Sequence, residues 1–224
     1  MKNIFRKIKK KIKTLFQIVY HILRYHNKIK VDYDLKIIPN FESTISNFFF
    51  KKKLEKSKFY FEYGSGSSTI FANKLLKKYI SVESDKNFYL FMKNKNIPNI
   101  KFIDFGYVFF YSVPIFCRFN KQKAFQIASD YANQIFKTKN KPDLILIDGR
   151  YRVLCALTVL DYIKKNNIKK ITIILDDYAK RKKQYNELKK YFDIKLVGRF
   201  GVLKPKKINL NLKKIINICK SEVV

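Results

Sequence analysis

An acid, two glycines and a cluster of hydroxyl residues occupy the stretch Glu62-Tyr63-Gly64-Ser65-Gly66-Ser67-Ser68-Thr69. Gly64 permits a sharp turn, and Gly66 permits the backbone to come close to a ligand. With Ser65 between them, the bend is a candidate binding loop. A phosphate-cradling P-loop would end in Gly-Lys-Ser/Thr, and that ending is missing here. A dinucleotide loop prefers a third glycine where Thr69 stands, and Glu62 would repel a diphosphate. The same acid suits a ligand that carries an ammonium group and no phosphate. Further along, Asp148 follows one apolar run, and Asp176 and Asp177 follow another. Carboxylates so placed can accept protons or ligate a hard cation such as Mg2+.

These residues need elements to hold them, and the chain supplies an alternation from residue 58 onward. "KFYFEY", "YISVESD", "NIKFIDFG", "PDLILIDG" and "KKITIILDDY" read as strands. "PDLILIDG" has the plainest pattern of a buried strand, apolar throughout and bounded by Pro142 and Gly149. Helical patterns lie between them: "SSTIFANKLLKK", with Ser67 or Ser68 as its cap, a short helix around Phe88 and Phe91, "KAFQIASDYANQIFK", "RVLCALTVLDYIKK" and "AKRKKQYNELKKYF". Such alternation predicts a doubly wound, mostly parallel α/β sheet with helices on both faces. "DIKLVGRFGVLKP" predicts two final strands turning at Gly201, and so short a turn makes them antiparallel. The predicted plan is a basic amphipathic helix over 1–30, a connector over 31–57, the α/β domain over 58–205 and a helix or tail over 206–224. In such a sheet, ligands bind beyond the carboxyl ends of the strands near the topological switch point, where Gly64 to Ser68 fall.

A chain of 224 residues, 47% of them hydrophobic, suffices for one sizeable α/β domain with a short appendage. The three cysteines, Cys117, Cys155 and Cys219, show neither paired spacing nor a histidine cluster, which argues against a zinc site or a disulfide framework. The net charge of +32 comes almost wholly from lysine spread over the chain. Arginine, the better bidentate reader of phosphates and bases, is scarce. No run approaches the roughly 20 apolar residues needed to span a bilayer. The first thirty residues place Phe5, Ile8, Ile12, Leu15, Val19 and Ile22 on one helical stripe and Lys7, Lys9, Lys10, Lys11 and Lys13 largely elsewhere. Such a helix suits an anionic membrane surface, and equally its own domain or a second subunit. It lacks the small-residue cleavage site of a secretory signal. The expected location is the cytoplasm, with peripheral attachment at the inner face of the membrane as the extension of that reading.

"EYGSGSS" resembles the Glu-x-Gly-x-Gly loop of class I S-adenosylmethionine-dependent methyltransferases. "SVESD" resembles the end of their second strand, and "KFIDFG" their third-strand segment. More narrowly, "EYGSGSST", "VESD" and "DGRYRV" together are similar to an uncharacterised bacterial group of methyltransferase-like proteins. The resemblance implies a Rossmann-like, seven-stranded sheet with a C-terminal antiparallel hairpin over residues 58 to about 205. It implies S-adenosylmethionine as cofactor, with Glu62 at its amino-acid end, Gly64, Ser65 and Gly66 in backbone contact, Glu83 on the ribose hydroxyls and Asp104 near the adenine. Glu83 lies 19 residues after Gly64, close to the spacing of a ribose-binding acid.

The resemblance puts Asp148 at the end of the fourth family strand, where substrate chemistry takes place. Asp-Gly-Arg-Tyr stands there in place of the Asp/Asn-Pro-Pro-aromatic motif of base-modifying enzymes, which counts against amino methylation of adenine or cytosine. Cys155 sits mid-helix on an apolar face and reads as core rather than as a nucleophile. Asp148 or Asp177 would be the base. Asp148, Asp176 and Asp177 together resemble the Mg2+ ligands of metal-dependent O-methyltransferases, although the usual glycines before the fifth strand are absent. Capping by Asp148 and Asp177, with Asp176 paired to a lysine, is the plainer use of the same residues. Arg150 and Arg152 suit a substrate carboxylate or phosphate, or a pairing with Asp148 or Glu83. His21 and His26 lie far from the loop in sequence and are not expected to be catalytic. The aromatic loop "GYVFFYSVPIFCRF" reads as a cover for the substrate side or as core. The expected activity is O-methylation of a small molecule or glycan. The alternatives are an RNA methyltransferase using the lysine-rich surface, and a non-catalytic module on a degenerate methyltransferase fold.

Overall fold

A computed structural model describes residues 2–26, 33–75, 77–109, 113–114 and 120–207. Among the described residues nine strands follow one another: β1 Tyr60–Tyr63, β2 Tyr79–Glu83, β3 Ile100–Phe102, β4 Val108–Phe109, β5 Val113–Pro114, β6 Leu144–Ile147, β7 Thr172–Leu175, β8 Phe192–Val197 and β9 Phe200–Pro205. Seven of them form one sheet in the order β3-β2-β1-β6-β7-β9-β8, and β4 pairs with β5 in a separate ribbon. The pairs β1–β2, β1–β6, β2–β3 and β6–β7 are parallel, whereas β9 runs antiparallel to both β7 and β8. The sheet is therefore Rossmann-like, doubly wound and mostly parallel, with a C-terminal antiparallel hairpin. Strand order reverses between β1 and β6, so the crevice at their carboxyl ends is the topological switch point.

The central strands are apolar because helices cover both faces of the sheet. Phe61, Tyr63, Ile145, Ile147, Ile173 and Leu175 belong to one core with α5 (Lys121–Ala132) and α6 (Arg152–Lys165). Tyr60, Leu144, Leu146 and Ile174 belong to a second core with α2 (Thr44–Lys56), α3 (Ser67–Lys74) and α4 (Lys86–Asn94). The alternation has the period of two that a strand imposes. Cys155 is fully buried in α6, as its apolar face predicts. Phe50 and Leu54 of α2 are also fully buried, so the second core draws on the chain before residue 58. The N-terminal α1 (Lys2–Tyr25) packs its last turns beside α4 and β4.

Three local expectations change. Gly66, not Ser67 or Ser68, is the N-cap of α3: the Ser68 hydroxyl donates to Glu62 at 2.7 Å, and the Thr69 hydroxyl accepts the Gly66 N–H at 2.9 Å. The final hairpin turns at Gly198 (φ +59°), since Val197 pairs with Phe200 and Gly201 lies inside β9. There the Ser46 hydroxyl accepts the Arg199 N–H at 2.9 Å and donates to the Val197 carbonyl at 3.2 Å, locking the turn onto α2. The segment 179–192 is not an α-helix but a series of turns ending in a 3-10 turn, Asn186–Lys190. Lys180 pairs with Glu42 and Arg181 with Asp177, while Tyr185 and Leu188 still reach the core. Residues from 208 onward and most of the aromatic loop over 106–119, including Cys117 and Cys219, lie outside the described residues.

Candidate cofactor cleft

The bend after β1 is built by two glycines for different reasons. Gly64 has φ +93°, a conformation that side chains with a Cβ rarely adopt, and its N–H donates to the Val82 carbonyl at 2.9 Å. A Cβ added at Gly64 would stand 2.7 Å from the Gly149 Cα, so the turns after β1 and β6 touch backbone to backbone. Gly66 is different: its φ of −178° suits any residue, and a Cβ there would meet nothing within 4 Å. Neither conformation nor protein packing calls for glycine at 66. The space over it is open at the switch point, where a ligand would lie.

Glu62 faces inward. Its residue is wholly buried, and its carboxylate accepts the hydroxyls of Tyr60 at 2.5 Å, Ser68 at 2.7 Å and Thr69. Burial pushes its pKa up, and the three hydroxyl donors pull against that rise. The expectation that Glu62 meets the cofactor's amino-acid end therefore changes. Its lone pairs serve the first turn of α3, and it fixes the bend from beneath.

Glu83 ends β2 on the other side of the bend. Its Oε2 accepts the Ser65 N–H at 3.1 Å, and its Oε1 accepts those of Ser84 at 2.6 Å and Asp85 at 2.8 Å. The Ser65 hydroxyl bonds that of Ser81 at 2.7 Å. Burial raises the Glu83 pKa to about 7 despite those donors. Asp85 caps α4 through Asn87 and Phe88 and pairs with Arg24 of α1 at 2.5 Å, both side chains almost wholly buried. Asp104, exposed after β3, accepts the Gly106 N–H at 2.7 Å and the Tyr25 hydroxyl at 2.6 Å. That bond pushes the Tyr25 pKa up to about 12. The end of α1 thus forms one wall beside the strand ends of β2 and β3.

Across the crevice, Asp148, Asp176 and Asp177 do converge, as the neighbouring strand ends predict. Two guanidinium groups hold them. Arg152 bonds Asp148 at 2.9 Å and Asp177 at 3.4 Å, and Arg199 bonds Asp176 at 2.7 Å and Asp177 at 2.5 Å. Arg152 also donates to the Asp148 and Asp176 carbonyls. Two fixed cations already occupy the centre of this cluster, so the donor set does not fit Mg2+. No metal-ligating group of three occurs among the described residues. The expected lysine partner of Asp176 is replaced by Arg199. Asp148 keeps a third of its side chain open to the cleft. Its enclosure raises its pKa well above the usual carboxylate value, Asp176 adds to that rise, and Arg152 opposes it. Arg152 is committed to the acids, whereas Arg150 makes no ion pair among the described residues.

Sequence reasoning did not anticipate Arg24, Tyr25 or Arg199. One signal was available: in a chain so rich in lysine, an arginine marks a place where a planar fork is needed. Arg24 and Arg199 each meet a buried aspartate, and Arg152 meets the half-buried Asp148.

No family model and no curated protein matches the chain. Among solved structures, a methyltransferase-like protein from Silicibacter pomeroyi superimposes with a TM-score of 0.69 at 24% identity, over 84% of this chain and 99% of that one. An S-adenosylhomocysteine-bound methyltransferase from Podospora anserina, PaMTH1, aligns with a TM-score of 0.41 at 12% identity, over 92% of this chain and 75% of that one. The sheet order, the parallel core and the antiparallel final hairpin give this chain the fold of a methyltransferase-like protein.

Proposed function

We propose that the protein is an S-adenosylmethionine-dependent methyltransferase acting on an oxygen of a small molecule or glycan. One observation carries this reading: at the switch point, Glu83 closes β2 beside a glycine bend whose outer face, over Gly66, is empty of protein. The group would supply a methyl carried on a positively charged sulfur. Glu83 would accept a ribose hydroxyl on the lone pair of Oε2 that its three backbone donors leave, and ionised Glu83 would favour the cationic ligand. Ser65 and Gly66 would give backbone contact. Asp104, with the Tyr25 hydroxyl already on it, would border the adenine.

Asp148 would take the proton of the acceptor hydroxyl. Its raised pKa strengthens its proton affinity, and Arg152 holds it in place. No metal would be needed: the oxygen would gain the methyl, the sulfur would keep the electron pair of the broken C–S bond, and the hydroxyl proton would pass to Asp148. Asp177 is spent on Arg152 and Arg199 and is a positioning group in this scheme. Arg150, which makes no ion pair among the described residues, would meet an anionic group on the acceptor.

Titration calorimetry with S-adenosylhomocysteine tests the reading. Saturable binding is expected, weakened at least about tenfold in Glu83→Gln, the scale of a lost bond to a charged group. No heat at millimolar ligand with folded protein overturns it.

A further inference from the structure

The apolar stripe of α1 faces away from the domain. At 3.6 residues per turn, Phe5, Ile8, Ile12, Leu15, Val19 and Leu23 share one side of the helix. They are exposed; Phe5 is 70% and Leu15 62% accessible. Phe16, 72% accessible, widens the same side. The domain-facing side is opposite. There His21 and Arg24 are buried at 2% and 3%, Arg24 pairs with Asp85, and the Arg24 carbonyl accepts the Asn87 side-chain amide at 2.6 Å. Self-docking thus uses the polar face of the last turns and leaves the apolar face uncovered among the described residues.

Charge selects the occupant. By helical position, Lys9 and Lys11 border the stripe on either side, with Lys2, Lys7 and Lys13 next outward. No Asp or Glu precedes Asp32. A second copy of the helix would bring like charges together along both borders of the seam. An anionic lipid surface instead receives the apolar side in its acyl boundary and the lysines in its headgroups. No helix among the described residues is long and apolar enough to cross a membrane, so the helix would lie in the plane of the surface. We infer that α1 is an in-plane anchor for an anionic lipid bilayer, fastened to the domain through Arg24 and Asp85. The inference stands apart from the methyltransferase reading, and its test uses no cofactor.

The test is co-sedimentation of the full chain with vesicles of phosphatidylcholine alone or with about one third phosphatidylglycerol, a content at which each lysine near the surface contributes. Because the whole protein is strongly basic, the decisive variant keeps every charge: Ile12→Ser, Leu15→Ser and Val19→Ser together. The wild type is expected to sediment with the anionic vesicles and poorly with the neutral ones, and the triple variant to partition at least about tenfold more weakly. Equal partition of variant and wild type overturns the inference, since scattered lysines then suffice. So does a lack of binding to either vesicle. A dimer in sedimentation velocity that the variant dissociates overturns it in favour of a second copy. A lowered melting temperature of the variant without vesicles overturns it in favour of intramolecular cover.

Discussion

The Glu83 carboxylate accepts the Ser65 backbone N–H at 3.1 Å, tying the end of β2 to the glycine bend after β1. Binding loop and ribose-side acid are therefore one unit, and the acid has a raised pKa of about 7. For the folded protein the sign is unfavourable at high pH. Stability from this group is full below the ordinary carboxylate pKa and is lost as pH rises through about 7, because the native state must then bury a charge. For the ligand the sign is opposite: the ribose hydroxyls of S-adenosylhomocysteine, a neutral thioether, are donors that favour the ionised acid. S-adenosylhomocysteine affinity should rise as pH passes through about 7. Calorimetry at several pH values on wild type and Glu83→Gln checks both features, with the variant giving a flat profile across that range.

Gly66→Ala separates ligand from fold. A Cβ there meets no protein atom within 4 Å, so the melting temperature should stay close to that of the wild type, within about 0.5 kcal/mol of stability. It does enter the space assigned to the ligand, and S-adenosylhomocysteine affinity should fall at least about tenfold, the scale of a misfitted contact. Gly149→Ala has the converse effect. Its Cβ would meet the Tyr131 hydroxyl and stand 2.9 Å from the Gly64 nitrogen, at a cost of about 1–3 kcal/mol. Denaturant titration of the two variants reads the contrast.

Glu62→Ala leaves the hydroxyls of Tyr60, Ser68 and Thr69 without their shared acceptor inside the second core. A loss of about 2–4 kcal/mol is expected from a cavity and stranded donors together. Glu62→Gln retains one acceptor oxygen and should lose less. Chemical denaturation ranks the two, and equal stability of Glu62→Ala and wild type would contradict the inward-facing role.

Arg152→Met removes a cation from among three carboxylates. Breaking such a buried pair costs about 3–5 kcal/mol near neutral pH. The Asp148 pKa, already high, rises further without Arg152, since that charge is what lowers it. The deficit should therefore shrink as acid protonates the cluster and widen as pH rises. Thermal melts from acidic to alkaline pH measure this slope. Addition of Mg2+ should leave the wild-type melt unchanged, because guanidinium groups fill the cluster.

How far the sequence can be read depends on the range over which each interaction acts. The bend at Gly64 to Gly66, Glu83 and the three aspartates sit at the ends of apolar runs, and period-two patterning locates those ends without any knowledge of the neighbours. The sheet follows from the alternation of runs. The direction of the Glu62 side chain does not, because it depends on hydroxyls of α3 and of Tyr60 meeting on one face. Arg199 is 22 and 23 residues from its aspartates, and Arg24 is 61 from Asp85, so neither pairing leaves a local pattern. Gly198 and Gly201 both fit a hairpin turn in isolation; Ser46, far upstream, decides for Gly198. The segment 179–192 has the right apolar spacing for a helix, yet Tyr185 and Leu188 reach the core from turns, and no local pattern records that difference.

The direct backbone contact of Gly64 with Gly149 has a consequence for how such a chain can diversify. With no side chain between them to adjust, neither turn can gain or lose a residue without a matching change in the other. Insertions that retune acceptor choice have to enter elsewhere around the crevice.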